Sequence, residues 1–193
     1  MDSKQAISNA EAVEVWRKFL TGDKYAFDSL MRMFSRPMYR YAIRLVNDST
    51  FIEDCIQNVF FDLWSRHMFL KPTEAVKFYL FKSLRNRIFR DYSKWKINEK
   101  IHEDYDFEIT FDIQTDIIQQ ELSQEMIIKV KELLGKLSKR QKEIVYLRFY
   151  EGLSQEKIGE IMDLNPQSVY NLLHESVLRL RKFWSKSPVY YCF

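Results

Sequence analysis

The chain has 193 residues, with 30 lysines and arginines against 27 aspartates and glutamates, but only four glycines and four prolines. This length allows one or two domains with their own cores, and so few turn-forming residues argue against a β-rich fold, so we expect an all-α protein. No apolar run approaches the ~18 residues of a membrane span, and the first residues lack a signal-peptide pattern, so we expect a cytoplasmic protein without direct membrane insertion.

Four helices are predicted between residues 10 and 96. The apolar spacing indicates helices over 12–20, 25–46, 51–66 and 74–95, separated by breaks at Gly22-Asp23 and Asn47–Ser49 and by a loop over 67–73. In the fourth helix the predicted buried stripe is Val76, Leu80, Leu84 and Ile88. We therefore predict an N-terminal four-helix domain.

The fourth of these helices alternates aromatic and basic side chains. Aromatic faces stack on unpaired bases and a basic groove follows a nucleic-acid backbone, so this composition favours binding to separated strands. The candidates are Lys77, Tyr79, Lys82, Arg85, Arg87 and Arg90. The alternative is that most of the aromatic residues form the core, because so small a domain needs them.

An acidic segment separates two basic ones. Residues 76–100 hold eight basic and two acidic side chains, residues 101–125 hold eight acidic ones and no lysine or arginine, and residues 136–186 hold ten basic and six acidic ones. Residues 97–115 show no helical period, and we predict a linker there. Two basic domains joined by an acidic linker are typical of a protein that grips one polyanion at two places.

A second helical domain is predicted over 116–185. Its first helix, 116–134, ends at Gly135, and Ser138 with Gln141 forms a capping box for a helix that reaches Gly152. Ser154 caps a helix over 155–162. Pro166 then begins the last helix, because proline is tolerated at a first helical position, and Asn165 before it is a good N-cap.

The last two helices form a candidate helix-turn-helix. Such a motif places the N-terminal residues of its second helix in the major groove. The predicted core stripe is Val169, Leu172, Leu173, Val177 and Leu180, which leaves Gln167, Ser168, Tyr170, Asn171 and His174 as candidate base contacts and Arg179, Arg181 and Lys182 as phosphate contacts. The turn has Asp163 where glycine would most easily take a positive φ. The alternative is an ordinary helical hairpin with a solvated face.

Catalytic, metal and redox sites have little support. Cys55 and Cys192 are far apart without metal-like spacing, so we expect two reduced thiols. His67, His102 and His174 are dispersed, the acidic residues lack metal-ligand spacing, and no glycine-rich phosphate loop exists. We therefore expect a protein that is not an enzyme and needs no metal or cofactor.

Four segments in order resemble the extracytoplasmic-function sigma factors, which are two-domain initiation subunits of bacterial RNA polymerase. The segments are GDKYAFDSLMRMFSRPMYRYA, IEDCIQNVFFDLW, FYLFKSLRNRI and LSKRQKEIVYLRFYEGLSQEKIGEIMDLNPQSVYNLLHESVLRLR. The resemblance covers roughly residues 10 to 185. It implies that 10–96 is a sigma region 2-like domain and 116–185 a region 4-like domain.

The resemblance also implies sites and partners. The first domain would bind core polymerase through Glu53, Asp54, Gln57, Asn58 and Phe60, and would recognise and melt the minus-10 element, with Asn86 at the family's asparagine position. A flipped base would enter a pocket near the loop 67–73. The second domain would read the minus-35 element as duplex. Core RNA polymerase and promoter DNA are thus the implied partners, and factors of this kind are commonly held by an anti-sigma factor.

Departures from the family pattern leave a rival open. Tyr170, Leu172 and Glu175 stand where the family often has lysine or arginine, so we expect weak binding to isolated duplex. The rival is a helix-turn-helix regulator that acts without core polymerase, which would not explain the basic aromatic helix or the acidic linker. The final residues, SPVYYCF, predict either a disordered tail or a packed apolar strip.

Overall fold

The computed structural model of the chain describes residues 9–95, 107 and 124–186. These residues form helices and connecting turns without a β-strand, so the predicted all-α class is confirmed. The chain divides into two compact units, Met1–Tyr105 and Asp106–Phe193, here called the N-terminal and C-terminal units.

The described part of the N-terminal unit, residues 9–95, contains four α-helices. They are α1 (Asn9–Leu20), α2 (Lys24–Ala42), α3 (Ser49–Ser65) and α4 (Val76–Trp95), with a short 3₁₀ turn over His67–Phe69. The side chains of Asp23 and Asp48 cap α2 and α3 by accepting from backbone N–H groups of the first turn. The predicted stripe of α4 is confirmed, since its four members are fully buried.

An aromatic cluster forms much of the core of this unit. The ring of Phe19 in α1 lies 5.4 Å from Trp16 and 5.9 Å from Phe27, and Phe27 lies 5.0 Å from Trp64 in α3. His67 stacks on Trp64 at 5.1 Å. Because rings from three helices and the 3₁₀ turn meet here, the cluster fixes the loop after α3 to the rest of the unit.

The C-terminal unit also contains four described α-helices. They are α5 (Gln124–Gly135), α6 (Lys139–Val145), α7 (Gln155–Met162) and α8 (Pro166–Lys186). Ser138 accepts from the Gln141 N–H while the Gln141 side chain accepts from the Ser138 N–H, as the predicted capping box requires. The predicted caps Ser154 and Asn165 are confirmed as well, by bonds from Lys157 N and Ser168 N.

The predicted α-helix from Ser138 to Gly152 is wrong in its second half. After Val145 the chain forms a π-helical turn, Tyr146–Tyr150, in which the N–H of Glu151 donates to the carbonyl of Tyr146, five residues earlier. The buried Tyr146 hydroxyl donates to Glu151 at 2.7 Å. The wider turn leaves Phe149, predicted to be in the apolar stripe, 66% exposed.

Phe107 is the described residue of the predicted linker. It is fully buried, and its ring meets that of Tyr146 edge-on at 5.8 Å, so it belongs to the core of the C-terminal unit. The rest of 97–115, the predicted helix start at 116–123 and the terminal SPVYYCF lie outside the described residues, as does Cys192. Cys55 is a buried free thiol.

Candidate nucleic-acid interface

Three predicted DNA-contacting cations of α4 lie against aromatic rings of the same helix. The Nζ atoms of Lys77 and Lys82 lie 5.8 Å and 5.4 Å from the ring centres of Phe81 and Phe78. The guanidinium of Arg85 lies 4.4 Å from the ring centre of Phe89, and Arg85 is only 8% exposed. Cation–π contacts of this kind hold the basic side chains along the helix surface.

Two further arginines of α4 form a carboxylate network. Arg87 donates through Nη1 to Asp62 of α3 at 2.6 Å and through Nε to Asp91 at 2.7 Å, and Arg90 donates to Asp91 at 3.2 Å. Burial raises the pKa of the Asp91 carboxyl, but the hydrogen bond from Arg90 and the neighbouring guanidinium charges outweigh it and leave that pKa lowered. Arg87 therefore joins α3 to α4.

The seven predicted residues of α4 do not share one open face. Tyr79 packs edge-on against Trp16 at 5.3 Å, and burial raises its pKa. With Tyr79, Arg85 and Arg87 turned toward the protein, Asn86 and Arg90 are the most exposed of the set. The alternative that most aromatic residues here are structural is supported for Tyr79 and Phe81, while DNA contact by the seven stays a prediction.

The loop after α3 is held at its ends and open at its tip. The Nε1 of Trp16 donates to the Lys71 carbonyl at 3.2 Å, and Arg17 pairs with Glu74 at 2.8 Å. At the tip, Met68 and Phe69 are 79% and 86% exposed. The sequence indicated this loop but not these two side chains. The sequence feature that could have identified them is the presence of large apolar residues in a loop directly before a basic helix.

The outer face of α3 carries four of the five predicted polymerase-binding residues. Glu53, Asp54, Gln57 and Asn58 are all exposed. Phe60, the fifth, is only 2% exposed and lies edge-on to Phe27 at 6.2 Å, so its side chain is part of the core. Phe61 is 69% exposed instead. Asp54, Gln57 and Phe61 follow the i, i+3, i+7 spacing of one helix face. Because Phe60 and Phe61 are adjacent, the sequence alone did not show which of the two lies on that exposed face.

The geometry of a helix-turn-helix is present in the C-terminal unit. Asp163 ends α7 in the left-handed conformation, with φ 55° and ψ 53°. The N–H of Leu164 donates to the Gly159 carbonyl at 2.9 Å, which closes the turn. Pro166 is the first residue of α8, as predicted. The short turn presents the N-terminal end of α8 to solvent.

The predicted reading residues lie together on the outer face of α8. Gln167, Tyr170, Asn171 and His174 are exposed and Ser168 is half-buried. The Gln167 Nε2 donates to Asn171 Oδ1 at 2.9 Å, and the rings of Tyr170 and His174 stack at 5.9 Å and 8°. Two adjacent i,i+4 pairs therefore order this face before any ligand is bound.

The predicted phosphate contacts lie further along α8. Arg179 donates to Oε1 of the buried Gln141 at 3.1 Å, which ties α8 to the cap of α6. Arg181 and Lys182 are exposed. Among the residues the structure describes, no group of histidine, cysteine or carboxylate side chains could hold a metal ion, and no helix is long and apolar enough to cross a bilayer.

Family models match both units. The chain matches Sigma-70 region 2 over residues 30–96 and Sigma-70, region 4 over residues 127–180. No curated protein matches the sequence.

Two solved structures share the fold. One is CnrH, solved in complex with the cytosolic domain of CnrY, with a TM-score of 0.57 and 16% identity, covering 92% of this chain and 99% of that one. The other is the sigma factor RpoE of Bartonella quintana, solved with the anti-sigma factor NepR, with a TM-score of 0.54 and 20% identity, covering 84% and 98%.

Proposed function

Because the chain belongs to the sigma-70 family, as an RNA polymerase initiation factor of the extracytoplasmic-function type, we propose that its two units divide the promoter between them. Residues 10–96 recognise and melt the minus-10 element, and residues 116–185 recognise the minus-35 element as duplex. Residues 97–115 lie between these ranges in the sequence, and Phe107 among them packs in the core of the C-terminal unit. The observation that carries this division is that each unit has its own core and its own ordered surface of candidate DNA contacts.

The N-terminal unit would bind the separated strand along α4 and the preceding loop. Lys77, Lys82 and Arg90 supply positive charge at the surface, with Asn86 exposed between them, while the buried Arg85 would contribute from its position against Phe89. Phe69 and Met68 offer apolar surface at the loop tip on which an extruded base can stack. Tyr79 and Arg87 would act by holding α4 in place through Trp16 and Asp62.

The C-terminal unit would place the first turns of α8 in the major groove. The residues that would face the bases there are Gln167, Ser168, Tyr170, Asn171 and His174, and the phosphate contacts would be Arg179, Arg181 and Lys182.

Core polymerase would bind the exposed face of α3. Asp54, Gln57 and Asn58 provide polar contacts, and Phe61 replaces the buried Phe60 as the aromatic contact. An exposed aromatic beside polar groups is the composition of an interface hot spot. Since core polymerase and promoter DNA are the binding partners, the chain would act in the cytoplasm and not as an enzyme by itself. An anti-sigma factor, as NepR is for RpoE, would compete for these surfaces.

Reconstitution with core polymerase tests the proposal. The chain should co-purify with core at one-to-one stoichiometry, and run-off transcription on fragmented genomic DNA should give discrete start sites. A regulator that acts without polymerase would bind its duplex unaided and would not retain core.

Phe61→Ser should weaken the binding of core polymerase. Loss of an aromatic hot spot of ~2 kcal/mol corresponds to a roughly 30-fold higher Kd. The matched control is Tyr25→Ser, which removes a ring that is 86% exposed on α2. Titration of labelled core would measure both. If the two variants bind core with the wild-type Kd, Phe61 is not part of the polymerase interface.

A further inference from the structure

The first turns of α8 present a pre-ordered amide. A glutamine side chain has two N–H donors and a carbonyl oxygen that accepts. One N–H of Gln167 is donated to Asn171 Oδ1 at 2.9 Å. The other N–H and Oε1 stay available at the exposed end of the helix. The bond also determines which way the amide faces, because only the nitrogen can donate to that oxygen.

The remaining donor and acceptor of Gln167 match one base. In the major groove adenine presents N7, which accepts, beside the N6 amino group, which donates, and glutamine pairs with both. Guanine presents two acceptors there, so Oε1 would face an acceptor. A side chain already held in its binding orientation loses less conformational freedom when it binds.

The first turns of α8 carry no side chain of the type that usually recognises guanine. Bidentate recognition of guanine is typical of arginine or lysine. Between Pro166 and Leu178 the sequence has neither residue. The neighbouring pair, Tyr170 and His174, is stacked and so also held in one arrangement. Base selection by these turns therefore depends on the Gln167 amide more than on any cation.

We propose that Gln167 reads an adenine in the upstream promoter element and that Asn171 is a positioning residue, which orients the Gln167 amide through their hydrogen bond. This inference rests on the proposed function of the C-terminal unit. It separates two residues that the sequence groups together, since only Gln167 would contact the base.

Selection from a promoter library randomised in the upstream element tests this assignment. Reconstituted holoenzyme transcribes the library, and the templates that yield RNA are sequenced. Wild type should prefer adenine at one position by about 5- to 150-fold, the discrimination expected of a bidentate pair. Gln167→Ala should remove the preference at that position alone. The matched control, Gln155→Ala, removes an exposed glutamine of α7 and should leave every preference unchanged.

Two variants of Asn171 separate positioning from base contact. Asn171→Ala removes the acceptor and should reduce the adenine preference several-fold. Asn171→Asp keeps an oxygen that accepts from Gln167 but loses the N–H groups, so it should retain the preference even if its added charge lowers total transcription. Because the readout is a ratio between bases at one position, a general loss of binding does not mimic the result.

Each outcome decides between the claims. If Asn171→Asp loses the preference as fully as Asn171→Ala, Asn171 contacts the base itself and its positioning role is wrong. If Gln167→Ala keeps the adenine preference while transcription proceeds, the assignment to Gln167 is wrong but the proposed function stands. If wild-type chain and core give no promoter-dependent RNA, the proposed function itself fails.

Discussion

The Cys55 thiol of α3 lies in the core of the N-terminal unit. Burial is the main reason that its pKa is raised from the ordinary 9.0 to about 11, and the nearby Asp91 carboxylate adds to the effect. Only the thiolate is an effective nucleophile. The folded protein therefore protects this cysteine from alkylation near neutral pH.

Alkylation should reveal the raised pKa of Cys55. In a Cys192→Ser background at pH 8, the thiolate fraction of Cys55 should be ~100-fold lower in the folded chain than in denaturant, with a correspondingly slower reaction with iodoacetamide. The folded-state rate should rise as the pH approaches 11. Equal rates with and without denaturant would contradict the burial of this thiol.

The same shift sets the sign of a pH effect on stability. The folded state keeps a proton that the unfolded thiol releases above about pH 9. The contribution of Cys55 is thus fully present below pH 9 and is lost as the pH rises toward 11, and Cys55→Ala should flatten that part of the stability profile.

Capping residues were predictable from sequence because their chemistry is local. Asn165, Ser138 and Ser154 each satisfy an N–H within three residues, so no distant contact is needed to identify them. Phe60 and Phe61 show the opposite case. The sequence places two rings side by side, and only the packing against Phe27 determines which one is buried.

The turn between α7 and α8 depends on a close backbone approach. A Cβ at Gly159 would lie 2.8 Å from the Leu164 carbonyl oxygen and 3.3 Å from Val169 Cγ2. The oxygen belongs to the backbone of the turn, so it cannot rotate aside. Any larger residue at Gly159 must move α8 relative to α7.

Gly159→Ala should destabilise the C-terminal unit by about 1–3 kcal/mol, the usual cost of overpacking. The improved helix propensity of alanine offsets at most ~1 kcal/mol of that. Chemical denaturation would measure the change. The control is Gly135→Ala at the end of α5, where a Cβ meets nothing within 4 Å. Equal stability of the two variants would show that the turn relaxes without loss.

The π-helical turn and the contacts on the surface of α4 could not be predicted from the sequence, and the reasons differ. The turn over Tyr146–Tyr150 is accompanied by a local side-chain hydrogen bond from Tyr146 to Glu151, which apolar periodicity does not register, so periodicity alone extends an α-helix to Gly152. In α4 the sequence pattern of alternating basic and aromatic residues fits both stacking on DNA bases and cation–π contacts within the helix, so the pattern alone does not distinguish them. The structure shows the latter for Arg85 on Phe89.

The positive charge of the chain is not concentrated where α8 would meet DNA. The first arginine of α8 is Arg179, which donates a hydrogen bond to Gln141, and the acidic Glu175 lies one turn before it. Phosphate contacts supply most of the affinity of non-specific binding. The free protein should therefore depend on polymerase to hold it at a promoter.

Duplex binding by the chain alone should be weak and only modestly salt-dependent. With the three predicted phosphate contacts of α8, Arg179, Arg181 and Lys182, the slope of log K against log salt should be about 3 in magnitude. Fluorescence anisotropy of labelled upstream duplex between low and moderate salt would measure it. A slope of about 6 or more would mean that other helices of the unit contribute the phosphate contacts.

The division into two helical units was predictable from the sequence because composition, caps and charge blocks all agreed. The burial of Phe107 was not, because it is one of three scattered aromatic residues in an acidic stretch without periodicity, and no local signal distinguishes it from Tyr105 or Phe111. Its partner, Tyr146, belongs to the π-helical turn, which was itself unexpected.

That buried ring has a practical consequence for dissecting the chain. The region 4 match begins at residue 127, yet the core of the C-terminal unit includes a side chain twenty positions earlier. A fragment cut at the homology boundary would leave one face of Tyr146 open to water. Isolated C-terminal fragments intended for crystals or binding assays should start upstream of Phe107, within the acidic stretch.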